Sequence, residues 1–120
     1  MNSNKPYNRL ERINNQIRQI IGDAFIEQIS SSKYGLLTIS KVKVSPDLKN
    51  AKIFYTVFDS KLSTLEINAS LNKKRKFFRK VLGLKMKTKN IPDLSFFYDD
   101  TLEYENHLNE IFKKINKDDT

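Results

Sequence analysis

The spacing of apolar residues switches between two periods along this chain, and that switching limits the folds open to it. From Asn8 to about Ile29, residues Leu10, Ile13, Ile17, Ile20, Ile21, Ala24 and Phe25 recur at steps of three and four, while Arg9, Arg12, Gln16, Gln19 and Asp23 fall elsewhere. That pattern predicts a long amphipathic helix, and the turn-forming cluster Ser30 to Gly35 ends it. Leu36 to Val44 and Ala51 to Phe58 instead alternate, as half-buried strands do. Ile39 and Val42 are three apart, so the alternation changes phase near Ser40 and Lys41, and one extra residue in the strand accounts for it. Ser45-Pro46-Asp47 opens the connection, and the two runs read as a bulged hairpin.

Helical spacing then returns. Ser63 and Glu66 stand at capping-box distance, and Leu65, Ala69, Leu71, Phe78, Val81, Leu82 and Lys85 carry the period to about Lys87. A bend between Asn72 and Lys76 would divide this stretch into two helices. Pro92 disfavours helix at Ile91, Leu94 to Tyr98 reads as a third strand, and Asp100 is expected to cap a last helix bearing Tyr104, Leu108, Ile111, Phe112 and Ile115. The expected architecture is a single α+β domain over residues 8–115, with flexible ends at 1–7 and 116–120. Helices on one face of a three-stranded mixed sheet would bury every stripe and leave the other face open. The strand aromatics Phe54, Phe58, Phe96 and Phe97 are read as core.

Charge narrows the partner. Lys and Arg outnumber Asp and Glu by 22 to 14, a formal charge of +8, which favours a polyanion. The Lys, Asn and Ile richness is that of a biased coding sequence, so the total is discounted and the distribution carries the argument. Residues 73–89 hold Lys73, Lys74, Arg75, Lys76, Arg79, Lys80, Lys85, Lys87 and Lys89 and no carboxylate. Lys76 and Lys80, like Arg75 and Arg79, are like charges four apart, which repel on a helix. Phosphates relieve that repulsion, so these side chains are the expected RNA contacts, with Arg9, Arg12, Lys41 and Lys43 as secondary ones. A bare solvated helix is the bland alternative. A helix lying on anionic lipid is disfavoured because Phe77, Phe78 and Leu84 are needed for the core.

Chemistry at a catalytic centre finds little support. The chain has no cysteine, and its single histidine, His107, lies in the last helix, so neither a thiol nucleophile nor a His-based metal cluster can be assembled. Gly22, Gly35 and Gly83 are too dispersed for a phosphate-cradling loop, and Asp100 is better read as a cap than as a metal ligand. No catalytic residue, metal or cofactor is expected. No apolar run reaches the ~20 residues of a membrane span, and Met1 to Tyr7 is polar, so a cytoplasmic monomer is expected.

Three phrases then align in order: Arg9-Leu10-x-Arg12-Ile13, Ser45-Pro46-Asp47-Leu48-Lys49-Asn50-Ala51, and Ile91-Pro92-Asp93-Leu94-Ser95-Phe96-Phe97-Tyr98-Asp99. With Phe78-Arg79-x-x-Leu82-Gly83 before the third strand, the chain resembles bacterial ribosome-binding factor A from about Arg9 to Ile115. The resemblance implies a type II KH-like fold. It also implies a factor that binds the small ribosomal subunit and its ribosomal RNA and assists late maturation and precursor processing. In that family an Ala-x-Gly kink joins the two central helices, whereas the matching positions here are Lys74, Arg75 and Lys76. Either the chain bends without glycine, or the helices merge, or the match slips in this stretch. The competing classes are a general DNA-coating protein and a small nuclease dependent on Asp99 or Asp100.

Overall fold

The computed structural model describes residues 6–118. Helix α1 (Pro6–Gln28) leads through a single helical turn, α2 (Ser31–Tyr34), into the hairpin β1 (Leu36–Val44) and β2 (Asn50–Phe58). Helices α3 (Thr64–Lys73) and α4 (Arg75–Lys85), strand β3 (Asp93–Tyr98) and helix α5 (Thr101–Asp118) follow. The sheet has the order β1-β2-β3, with β1 antiparallel and β3 parallel to β2. It is the expected α+β arrangement with a mixed three-stranded sheet. Of the expected flexible ends at 1–7 and 116–120, residues 1–5 and 119–120 lie outside the described residues, while α1 begins at Pro6, two residues before the expected start, and α5 runs to Asp118, into the expected tail.

The bulge falls at Ser40: Ile39 pairs with Tyr55 and Lys41 with Phe54, so Ser40 has no partner of its own. That extra residue shifts the alternation by one, sending Val42 and Val44 inward beside Ile39 and turning Lys41 and Lys43 outward. The Ser40 hydroxyl donates to the Asp99 carboxylate at 2.6 Å and lies 3.2 Å from the Phe54 carbonyl oxygen. Asp99 also accepts from the Thr101 backbone N–H at 3.0 Å. Asp100 stands at the N-cap position, its carbonyl accepting from the Tyr104 N–H at 2.9 Å, and the Asp99 carboxylate beside it joins the bulge to the helix start. Glu103, in the first turn of α5, accepts from the Tyr98 hydroxyl.

α1, α3 and α4 cover one face of the sheet, where Ile17, Ile21, Ile53, Tyr55, Ile67, Leu71, Phe78, Leu82 and Phe96 are almost wholly buried. Phe25, Phe78 and Phe96 meet in a triangle with ring centroids 5.3 to 5.9 Å apart, joining α1, α4 and β3. α3 is tied down by polar contacts. Its Asn68 accepts from the buried Tyr55 hydroxyl at 2.8 Å, and Asn72 both donates to the Phe96 carbonyl (3.0 Å) and accepts from the Phe96 N–H (2.9 Å). On the other side Asn14 of α1 accepts from the Val44 N–H at 3.0 Å.

Several expectations fail. The Ser30–Gly35 cluster contains the turn of helix α2 rather than an irregular turn alone. The stripe of α5 is not buried: Tyr104, Ile111, Phe112 and Ile115 stay exposed. Three helices already fill the apolar side of a narrow sheet, which leaves no surface there for a fourth. Phe96 is core, but Phe54, Phe58 and Phe97 point to the opposite face, with Phe58 73% and Phe97 40% exposed. Phe77 and Leu84 are exposed as well, leaving Phe78 and Leu82 as the buried residues of α4.

Two outcomes test this account. Gly35 has φ +75°, and a Cβ there would strike the Phe58 carbonyl oxygen, so Gly35→Ala is expected to lower unfolding stability by more than about 2 kcal/mol in urea denaturation. Hydrogen bonds from Ser40, then Thr101, depress the Asp99 pKa to about 2. A depressed carboxylate pKa contributes stability above the unfolded value near ~4 and loses it as pH falls through the folded value. Asp99→Asn should therefore melt below the parent protein at neutral pH, with the gap narrowing between about pH 4 and pH 2.

Candidate nucleic-acid interface

The basic segment is divided by a bend at Lys74, whose φ of −95° and ψ of 9° end α3 and start α4. This bridge conformation is open to any L-residue, so no glycine is required. The junction is held by hydrogen bonds instead: the Lys74 N–H donates to the Leu71 carbonyl at 3.0 Å, and its own carbonyl accepts from the Phe78 N–H at 3.1 Å. Two residues upstream, Asn72 fixes the end of α3 against β3. Capping at the start of α3 is the expected box, with Ser63 and Glu66 each 3.1 Å from the other's backbone N–H.

With Phe78 and Leu82 buried, the 100° step of a helix puts Lys76, Lys80 and Gly83 on the opposite, solvent-facing side and Arg79 at its flank, while Arg75 is exposed at the first position of the helix. Lys76, Arg79 and Lys80 line a shallow depression of about 420 Å³ with Gly83, Lys89 and Ile91. The next depression, about 380 Å³, is bordered by Arg75, Lys76 and Arg79 together with Asp93. Gly83 contributes no side chain to the floor, and Lys49 from the β1–β2 connection joins the same rim beside Arg79 and Lys89. Sequence reasoning gives Lys49 little weight because its distance along the chain conceals this closeness.

The expected contact residues thus separate into groups. Arg75, Lys76, Arg79, Lys80 and Lys89 converge on this ridge. Lys74 turns to the other end of α4's start, where its ammonium lies 5.4 Å from the Tyr34 ring centroid and that of Lys33 lies 5.9 Å away. The Tyr34 hydroxyl is 2.8 Å from that of Ser70, and this bond, helped by Lys74 and Lys33, lowers the phenol pKa. Lys73, Lys85 and Lys87 are exposed but border none of these depressions, and Arg9 and Arg12 lie exposed on α1. Lys41 and Lys43 stand on the open sheet face.

Arg79 differs from its neighbours. Its guanidinium pairs with Asp93 at 3.2 Å and donates to the Ile91 carbonyl at 3.1 Å, so it also anchors the segment leading into β3. Among the described residues, none of the other cations of the segment has a carboxylate within pairing distance. The repulsion anticipated between Lys76 and Lys80 is therefore present and uncompensated.

Comparison with known proteins bears on the family and the fold. Residues 9–112 match the family model described as ribosome-binding factor A. The chain is 33% identical to ribosome-binding factor A of Citrifermentans bemidjiense, over 92% of this chain and 93% of that one. It is 32% identical to that of Staphylococcus epidermidis, over 92% and 96%. The crystal structure of ribosome-binding factor A from Thermus thermophilus superposes with a TM-score of 0.65 at 15% identity, covering 74% of this chain and 94% of that one. A homology model of the Thermus thermophilus factor, fitted into a cryo-EM map of its complex with the 30S subunit, superposes at 0.59 and 14% identity, over 72% and 90%. A family model spanning nearly the whole domain, relatives near one-third identity and the same fold together show that this chain belongs to the ribosome-binding factor A family.

Proposed function

We propose that this protein is a non-enzymatic assembly factor that binds the small ribosomal subunit and contacts its ribosomal RNA through the exposed face of α4. The observation that carries the reading is the ridge of Arg75, Lys76 and Lys80, set on a helix anchored by the burial of Phe78 and Leu82, with Lys89 of the following connection beside it; among the described residues none of the four pairs with a carboxylate. A rigid row of cations suits phosphates held at fixed spacing by folded RNA, and such contacts position a protein without reading bases. A related factor from Thermus thermophilus is placed in a complex with the 30S subunit, which supports the small subunit as the target.

On this reading the protein assists late maturation of the subunit and processing of its precursor RNA by occupancy. It stabilises one RNA conformation and leaves when another forms, which requires unequal affinity for the two states. It works as a cytoplasmic monomer with no cofactor or small-molecule substrate. Lys74 and Arg79 serve partly as structural residues at the junction and the β3 entry, while Lys73, Lys85, Lys87, Arg9 and Arg12 add long-range attraction.

Co-sedimentation with separated small and large subunits, with duplex DNA as competitor, tests the proposal. Small subunits are expected to retain the protein selectively. The triple variant Arg75→Glu, Lys76→Glu, Lys80→Glu should reduce retention by roughly tenfold or more while leaving the melting temperature within a few degrees. It should also flatten the salt dependence by about 0.7–0.9 in log–log slope for every phosphate that is no longer neutralised. Equal weakening on reversing Lys61, Lys113 and Lys114 would assign binding to net charge alone. Retention abolished by duplex DNA would point to a general nucleic-acid binder.

A further inference from the structure

The open face of the sheet carries a second arrangement that the α4 ridge does not explain. Registers place Lys41 opposite Phe54 and Phe54 beside Phe97 in one row across three strands, and Lys43, Lys52 and Ser95 in the next. The rings of Phe54 and Phe97 lie 5.5 Å apart at 27°, an offset-stacked pair that stands on the open face. The Lys41 ammonium stands 4.7 Å from the Phe54 centroid and that of Lys52 stands 6.0 Å from the Phe97 centroid. A solvated sheet face normally presents polar residues. Here two stacked aromatic rings, Phe97 exposed and Phe54 half-buried, stand on that face with cations at their margins.

Charge on this face points the same way. Lys43 and Lys52 are directly opposite each other on adjacent strands, and like charges so placed destabilise a sheet. The carboxylates at the two ends of β3 are both engaged: Asp99 by Ser40 and Thr101, Asp93 by Arg79. A stacked ring pair bordered by lysines that, among the described residues, form no ion pair suits unpaired bases on a phosphate backbone, since any base can extend the stack and the ammonium groups can follow the phosphates.

We propose that the open sheet face is a second RNA site, a stacking platform for a single-stranded RNA segment. One base rests on Phe54 and its neighbour on Phe97, with Lys41, Lys43 and Lys52 on the flanking phosphates. Lys41 and Lys52, which lie over the rings in the free protein, swing aside to those phosphates when bases arrive. The site deepens the ribosomal-RNA reading but depends on different residues from the α4 ridge. The double variant Phe54→Leu, Phe97→Leu keeps apolar bulk on the face while removing the π surface.

Fluorescence anisotropy with labelled octauridylate, octaadenylate and an abasic octamer of equal charge decides the matter. The full-length protein is expected to bind the base-bearing octamers at least about tenfold more tightly than the abasic one, the size of effect one stacked base supplies. The leucine pair should erase that preference, Phe54→Tyr with Phe97→Tyr should retain it, and Arg75→Glu, Lys76→Glu, Lys80→Glu should leave the ratio unchanged. Equal binding of abasic and base-bearing octamers by the parent protein overturns the platform even if the variant fails to fold. Loss of small-subunit co-sedimentation in the α4 variant is a separate result that tests the separate site. A dimer in sedimentation equilibrium that Phe97→Leu dissociates, without base preference, would overturn the proposal in favour of a self-association face.

Discussion

The contact on which the arrangement depends is the triangle of Phe25, Phe78 and Phe96. Each ring comes from a different element, and each is almost fully buried. Edge-to-face and tilted ring contacts are directional, so they fix rotation as well as distance. Rotating α4 by one residue would withdraw Phe78 from Phe25 and Phe96 and carry the cations toward the sheet. The position of the charged ridge is thus a consequence of apolar packing on the other side of the same helix.

A second constraint acts on the sheet. Ser40 changes the phase of β1, so one strand serves two surfaces: Ile39, Val42 and Val44 complete the core, and Lys41 and Lys43 face outward. In an unbulged strand Lys41 and Lys43 would share the side of Ile39 and point at α1. The extra residue removes that conflict, and Asp99 holds the Ser40 hydroxyl from the end of β3. The same carboxylate starts α5, so the last helix and the bulge share one anchor.

Much of the fold was legible because its signals are local. The limits of β1, the phase change at Ser40 and the box of Ser63 and Glu66 all follow from spacing along a few residues. The bend at Lys74 was foreseen as a place but not as a conformation, since a search for glycine overlooks a bridge geometry that lysine adopts freely. Periodicity in α5 reported amphipathic character without naming a partner, and the partner face was already covered. Phe54 and Phe97 did carry a usable signal. Phe54 alternates with Ile53 and Tyr55, and Phe97 follows Phe96, so one set had to face outward. Lys49 and Asn72 had none, because their roles arise only when distant segments meet.

The asparagines that tie the helices to the sheet have an effect on the behaviour of the protein among its own copies. Asn72 occupies both backbone groups of Phe96 on the outer margin of β3, and Asn14 occupies the N–H of Val44 on the outer margin of β1. Free margins of this kind are where sheets of separate molecules join. An amide side chain at each margin takes the hydrogen bonds that an incoming strand would need at that point, without adding a strand that would itself have a margin. Each outer strand is thereby blocked at one position, which works against edge-to-edge pairing by a protein that also carries an exposed aromatic face.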